Sequence, residues 1–268
     1  INTVIIGVIL TIILLSAIFG LSFVPGKVSE ISQNLIKPAQ SRLINTVAEN
    51  RQPYFSEWAN SFGPTINGFP VLFWMFFVGS IYLFYKIIFM LEKNKKQILT
   101  IAFTYFLIAI IFSRYSAKSL MNGSNAASLL FYASGFIVLI GVFGYYFYKT
   151  YLAGKLYLLK KIDISFLLLM VFIFLGIISA RGAVRVIMML VAPLSMVVSF
   201  LIVDISQKAI KKKKQVGYWI LSIVLIILLI FALFFPGKGL YYVSVGTASA
   251  YIPSPYNQQW QNAMSWVR

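Results

Sequence analysis

The sequence predicts an all-α, polytopic transmembrane helix bundle of about seven spans, and three observations carry that expectation. Apolar residues make up 60% of the 268 positions, and the mean hydropathy is strongly positive. Charge is confined to short clusters, a distribution that a water-soluble globule of this length would not tolerate on its surface. Apolar runs recur that are each long enough, at roughly 20 residues, to cross ~30 Å of hydrocarbon as helix.

In chain order these runs fall at about 3–24, 69–91, 98–114, 125–148, 164–180, 183–203 and 217–235. Lipid offers backbone groups no hydrogen-bond partner, so the spans must be helices or a closed barrel. A barrel's alternation of apolar and polar residues is missing from them. The chain divides into a first helix (1–24), a loop (25–68), a bundle of about six helices (69–235) and a tail (236–268). It opens at Ile1 without the basic start and cleavage site of a signal peptide, and reads as an internal piece of a longer protein.

Orientation follows from lysine. Lys93, Lys95 and Lys96, then Lys149, Lys155, Lys160 and Lys161, then Lys208 and Lys211 to Lys214 occupy alternate connections, which share one face. By the positive-inside rule that face is cytoplasmic, and much of the net charge of +17 is topological. A nucleic-acid patch at the quadruple lysine is the weaker reading beside a membrane span, and no nucleic-acid partner is expected. The loop 25–68, a short loop at Ser113 to Asn125, a tight turn near Arg181 and the tail from Pro236 then lie outside.

The chain has no cysteine and no histidine, which excludes disulfides, thiolate metal sites and imidazole proton shuttles. Catalytic chemistry would rest on six carboxylates: Glu30, Glu49, Glu57, Glu92, Asp163 and Asp204. In the loop punctuated by Pro25, Pro38, Pro53 and Pro64, Ala39 to Asn50 reads as a short amphipathic helix along the membrane surface. Glu49 follows within it, beside Asn50, Arg51, Gln52 and Pro53; a lone acid on a loop is ordinarily just solvated. Gly26 and the small polar residues after it suit a segment that orders over substrate.

Arg181 and Arg185 stand where two apolar runs meet. A guanidinium there asks for an anionic partner or a wet cavity, unless it snorkels to the headgroups. A site built on them would suit phosphate, which the guanidinium fork grips at two points. In the tail, Trp260, Ala263, Met264 and Val267 form one helical stripe, as the start of a folded soluble domain would.

Three blocks in order resemble the catalytic subunit of oligosaccharyltransferase, in its archaeal form. Thr46-Val47-Ala48-Glu49-Asn50-Arg51-Gln52-Pro53 is similar to that family's external-loop motif with its following Gln-Pro pair. Val184-Arg185-Val186-Ile187-Met188-Met189-Leu190-Val191-Ala192-Pro193 is similar to its Val-Arg-Leu-Met-Leu stretch closing on Ala-Pro. Pro253-Ser254-Pro255-Tyr256, with Trp260 and Trp266-Val267-Arg268, resembles the lead-in to its soluble domain. A pair of spans including about 125–148 exceeds what smaller family members have, and an even surplus preserves sidedness.

The resemblance implies half of a GT-C-type membrane glycosyltransferase, with a long external loop and the start of an external soluble domain. Its activity would be transfer of a glycan from a polyprenyl (dolichyl) phosphate or pyrophosphate to the asparagine of N-x-Ser/Thr, on the extracytoplasmic face of the cell membrane. Glu49 would be catalytic and help hold Mg²⁺ or Mn²⁺, which takes oxygen ligands. Thr46 and Val47 would line the acceptor site, and Arg185 would meet the carrier's phosphate. Arg181 has no firm counterpart. Partners would be the lipid-linked oligosaccharide, the acceptor polypeptide and membrane lipids. Other metal-binding aspartates and the sequon-reading motif would lie outside these residues, so the 268 residues alone are expected to be inactive.

Asn122-Gly123-Ser124 is itself an acceptor triplet in a loop expected outside. Two rivals stay open. Another polyprenyl-phosphate-dependent glycosyltransferase would share the lipid donor and external acid but not the block from Thr46 to Pro53. A secondary transporter would need charged or broken span centres and internal symmetry, and the span centres here are almost wholly Ile, Leu, Val and Phe.

Overall fold

The computed structural model describes residues 51–89, 91–154, 162–211, 215–250 and 258–267, with Tyr157 and isolated positions between 11 and 29. Among these residues the fold is all-helical, and the only extended pairings are two isolated bridges, Ile66 with Phe69 and Arg114 with Asn122. The helices are α1 (Phe55–Ser61), α2 (Val71–Ile87), α3 (Lys93–Phe112), α4 (Ala126–Leu152), α5 (Ile164–Gly182), α6 (Val191–Lys211), α7 (Val216–Phe234), α8 (Leu240–Ala250) and α9 (Gln258–Val267). A 3₁₀ segment, Val184–Leu190, leads into α6.

Five helices are long and apolar enough to cross a membrane: α3, α4, α5, the 3₁₀ segment continued by α6, and α7. The expected span at 69–91 is the apolar but shorter α2, of 17 residues. Most of the expected span at 3–24 lies outside the described residues. Apolar side chains face outward as well as inward, Ile140, Leu168 and Ile227 among them. Such a surface is stable in lipid and aggregation-prone in water.

The described chain forms two compact units. The first comprises the residues up to Trp58 and Ser80–Pro193, the second Ala59–Gly79 and Leu194–Arg268.

In the first unit, small residues set how closely the helices approach. A Cβ on Gly135 of α4 would stand 2.6 Å from the Ala109 Cβ of α3, so only glycine permits that crossing. Gly176 of α5 leaves room for the Leu190 side chain of the 3₁₀ segment, whose Cδ2 a Cβ would meet at 2.5 Å. Around these crossings Phe106 of α3 stacks on Phe174 of α5 and meets Phe136 of α4 edge-on. Tyr105 and Ser134 add a hydroxyl pair at 2.7 Å between α3 and α4. Both α4 and α5 start on side-chain caps, where Asn125 accepts from the Ser128 N–H and Asp163 from that of Ser165.

In the second unit α6 and α7 are joined by a Ser206–Ser222 hydroxyl pair at 2.7 Å. Gly79, at the end of that unit's share of α2, admits Val197 of α6. Lys238 donates to the Asn67 side chain at 2.8 Å, tying the turn before α8 to the turn before α2.

Two boundaries differ from expectation. The run expected as one span from 183 to 203 begins as a 3₁₀ helix, Val184–Leu190, which follows an extended Ala183 at φ −151°. The tail, expected to be mostly lead-in, contains α8; its Ser, Thr and Gly residues dilute the apolar signal that marked the longer helices.

Candidate functional site

The site is built where the chain between Arg51 and Phe55 is pinned to the ends of α3 and α5. The Val184 N–H, just past α5, donates to the Arg51 carbonyl at 3.0 Å. The Phe55 N–H donates to the Arg114 carbonyl at 3.1 Å, and its ring stacks on Phe112 and Tyr115 at the end of α3. These contacts join segments far apart in sequence and leave Gln52 and Pro53 buried.

Gln52 is the hub. It is 2% exposed, and its side-chain oxygen accepts from Arg181 at 2.8 Å and from Arg114 at 3.0 Å. An amide oxygen has two lone pairs, so one neutral acceptor serves two guanidinium groups and is then saturated. Arg181, in the last turn of α5, is itself only 4% exposed. Its guanidinium lies over the Tyr132 ring of α4, 5.3 Å from the centroid, and that of Arg114 lies over Tyr54 at 4.4 Å. Such cation–π contacts contribute about 0.5–2 kcal/mol each, well short of the several kcal/mol that desolvating a guanidinium costs.

Charge is unbalanced here. Arg51, Arg114 and Arg181 converge, while one carboxylate, Glu57, takes part among the described residues. Glu57 is committed: one oxygen accepts from Arg51, the other from the Tyr54 N–H at 2.7 Å. The Nε atoms of Arg114 and Arg181, the Trp58 indole N–H and the Tyr132 hydroxyl are buried and find no partner among the described residues. Groups of this kind are costly unless an acceptor meets them.

The neighbouring loop supports Arg114 from below. Gly123, at φ +87°, leaves room for the Arg114 stem, since a Cβ there would stand 2.7 Å from Arg114 Cγ. Asn122 closes this turn, its side-chain oxygen accepting from the Ser124 N–H, the Ser124 hydroxyl and the Asn125 N–H.

Of the expected site residues, Arg181 and Arg185 are described, and Thr46, Val47 and Glu49 lie outside the described residues, as does the amphipathic stretch 39–50. Arg181 does not snorkel: it is buried on Gln52. Arg185 sits on the first turn of the 3₁₀ segment and is exposed. Sequence reasoning missed Arg114 and Tyr132 as partners and saw Gln52 only as part of a motif. A signal for Arg114 existed in its position, an arginine closing an otherwise apolar span.

A divalent cation needs several oxygen donors at once. No group of three carboxylates occurs among the described residues, and both oxygens of Glu57 are engaged, so these residues do not fit a metal by themselves.

No family model matches the chain, and neither a curated protein nor a solved structure matches it.

Proposed function

We propose that this chain is part of an oligosaccharyltransferase, transferring a glycan from a polyprenyl (dolichyl) phosphate or pyrophosphate carrier to the asparagine of N-x-Ser/Thr sequons, at the extracytoplasmic face of a cell membrane. One observation carries the reading. The two motif-bearing segments, 46–53 and 184–193, meet through the Val184–Arg51 hydrogen bond and the Arg181–Gln52 bond of the adjoining turn. A shared site requires such a contact between segments far apart in the chain.

In this reading Gln52, Arg114 and Arg181 form a frame that fixes the loop, and Arg185 meets substrate. Glu49 lies outside the described residues, two positions before Arg51 in the chain. Arg185 follows Val184, whose N–H donates to the Arg51 carbonyl, which supports a common site for the two motif-bearing segments. The surplus of cations favours an anionic guest such as a carrier phosphate, whose leaving-group charge grows in the transition state. Glu49 would hold the acceptor amide. Mg²⁺ or Mn²⁺, if bound there, would take Glu49 and carboxylates from outside the described residues, and would neutralise charge on the departing phosphate.

The test is glycan transfer from a lipid-linked oligosaccharide to a sequon peptide by membranes carrying the complete protein. Transfer is expected, falling by about 10²–10³-fold with Glu49→Gln, the usual effect of removing one transition-state contact. Undiminished transfer by that variant, or no consumption of the lipid-linked donor by the unaltered protein, overturns the proposal.

A further inference from the structure

An apolar cavity lies in the first unit, at the end of the helices opposite the arginine cluster. The C-terminal ends of α2 and α4 and the N-terminal ends of α3 and α5 line a cavity of about 410 Å³ that is open on one side. That size falls within the range of small-molecule and cofactor pockets. Its walls are almost wholly apolar, with Phe103, Leu139, Phe143 and Met170 among them, and the Thr150 hydroxyl in the wall is satisfied by the Tyr146 carbonyl at 2.8 Å. Water has nothing to bind in such a space, and a hydrocarbon guest does.

One charged side chain, Lys95, belongs to the lining. It stands in the first turn of α3, some 20 residues and thus roughly 30 Å of helix from the arginine cluster at the far end. Lys93 and Lys96 flank it in the chain, and Lys149 lies in the last turn of α4. Lys95 pairs with Glu92 at 3.0 Å, but Glu92 is 68% exposed, and an ion pair so open to solvent competes weakly with a second anion. An apolar chamber in a membrane bundle, with cations gathered at its interfacial rim, is complementary to a lipid with a negative head group.

We propose that this cavity holds one hydrocarbon chain of an anionic membrane phospholipid, with the lipid's phosphate against Lys95. The guest is a structural lipid of the leaflet facing the lysine-bearing helix ends. It closes a space between α2, α3, α4 and α5 that side chains leave open, and it is separate from any carrier phosphate at Arg185.

The test uses the full chain in bilayers of phosphatidylglycerol and phosphatidylcholine in equal parts, each in turn carrying a trace of diazirine-labelled acyl chain. Photolabelling of the peptides containing Phe143 and Met170 is expected to favour the phosphatidylglycerol probe by roughly fivefold, the value of one lysine at an anionic surface. Lys95→Gln should remove the preference, and Val171→Trp, which fills the cavity from its lining, should remove the labelling. Equal labelling by both probes, a preference unchanged in Lys95→Gln, or displacement of the probe by a polyprenyl phosphate at trace concentration each overturns the assignment. Both variants should unfold within a few degrees of the parent, and labelling confined to other peptides counts against the proposal in the same way.

Discussion

The side-chain oxygen of Gln52 lies 2.8 Å from a guanidinium nitrogen of Arg181, 129 residues away in the chain, with both side chains buried. Arg114 completes the arrangement at 3.0 Å. A neutral amide that gathers two cations holds the loop after Glu49 in register with the turn before Arg185. The loop's position therefore depends on a residue with no charge of its own.

Gln52→Leu is expected to strand both guanidinium groups. Each hydrogen bond to a charged group contributes about 1.5–3 kcal/mol, so the variant should unfold well below the parent in detergent. Gln52→Glu keeps both acceptor positions and adds a negative charge, and its unfolding temperature should equal or exceed the parent's. A drop of the same size in both variants would contradict the role given to Gln52.

Arg181 and Arg185 should separate cleanly. Arg181→Lys loses the planar fork that reaches Gln52 while stacking on Tyr132, and both stability and function are expected to fall. Arg185→Lys alters an exposed side chain on the 3₁₀ segment, so its stability should stay within about 0.5 kcal/mol of the parent while glycan transfer falls. Thermal unfolding alongside a transfer assay reads both.

Much of the architecture was legible in the sequence because lipid as solvent leaves the backbone one choice. The apolar runs at about 98–114, 125–148, 164–180 and 217–235 had to be helices, and helices stand there, at Lys93–Phe112, Ala126–Leu152, Ile164–Gly182 and Val216–Phe234. The site was legible only in part. Arg181 and Arg185 drew attention through the cost of a cation beside hydrocarbon, but nothing local distinguishes a buried Gln52 from a solvated one. Its burial is decided by where Arg114 and Arg181 arrive, which is tertiary information. The 3₁₀ stretch was hidden for a related reason: Val184–Leu190 has the composition of a span, and nothing in it marks the tighter winding.

Glycines in α4 should respond in opposite directions. Gly135→Ala drives a Cβ into the Ala109 Cβ, and overpacking of this kind costs about 1–3 kcal/mol. Gly141→Ala meets nothing within 4 Å and should gain about 0.5–1 kcal/mol from helix propensity. Unfolding temperatures of the two variants check the close α3–α4 crossing directly.

Asn122→Ala should loosen the turn beneath Arg114, since three donors lose their shared acceptor, whereas Asn122→Asp keeps it. Protease sensitivity of the connection at 115–125 is the readout, and it should rise in the first variant alone.

The central claim is that the acid at position 49 and the guanidinium at position 185 face one site on one side of the membrane. The chain has no cysteine, so Glu49→Cys combined with Arg185→Cys supplies an unambiguous pair of thiols. The measurement is cross-linking of that pair in intact membranes by a bifunctional thiol reagent of about 10 Å span, a reach set by two extended side chains meeting a small guest. Efficient intramolecular cross-linking, absent from either single variant, is the expected result; thiols modified from opposite sides of the membrane, or no cross-link despite full labelling of both, would contradict it.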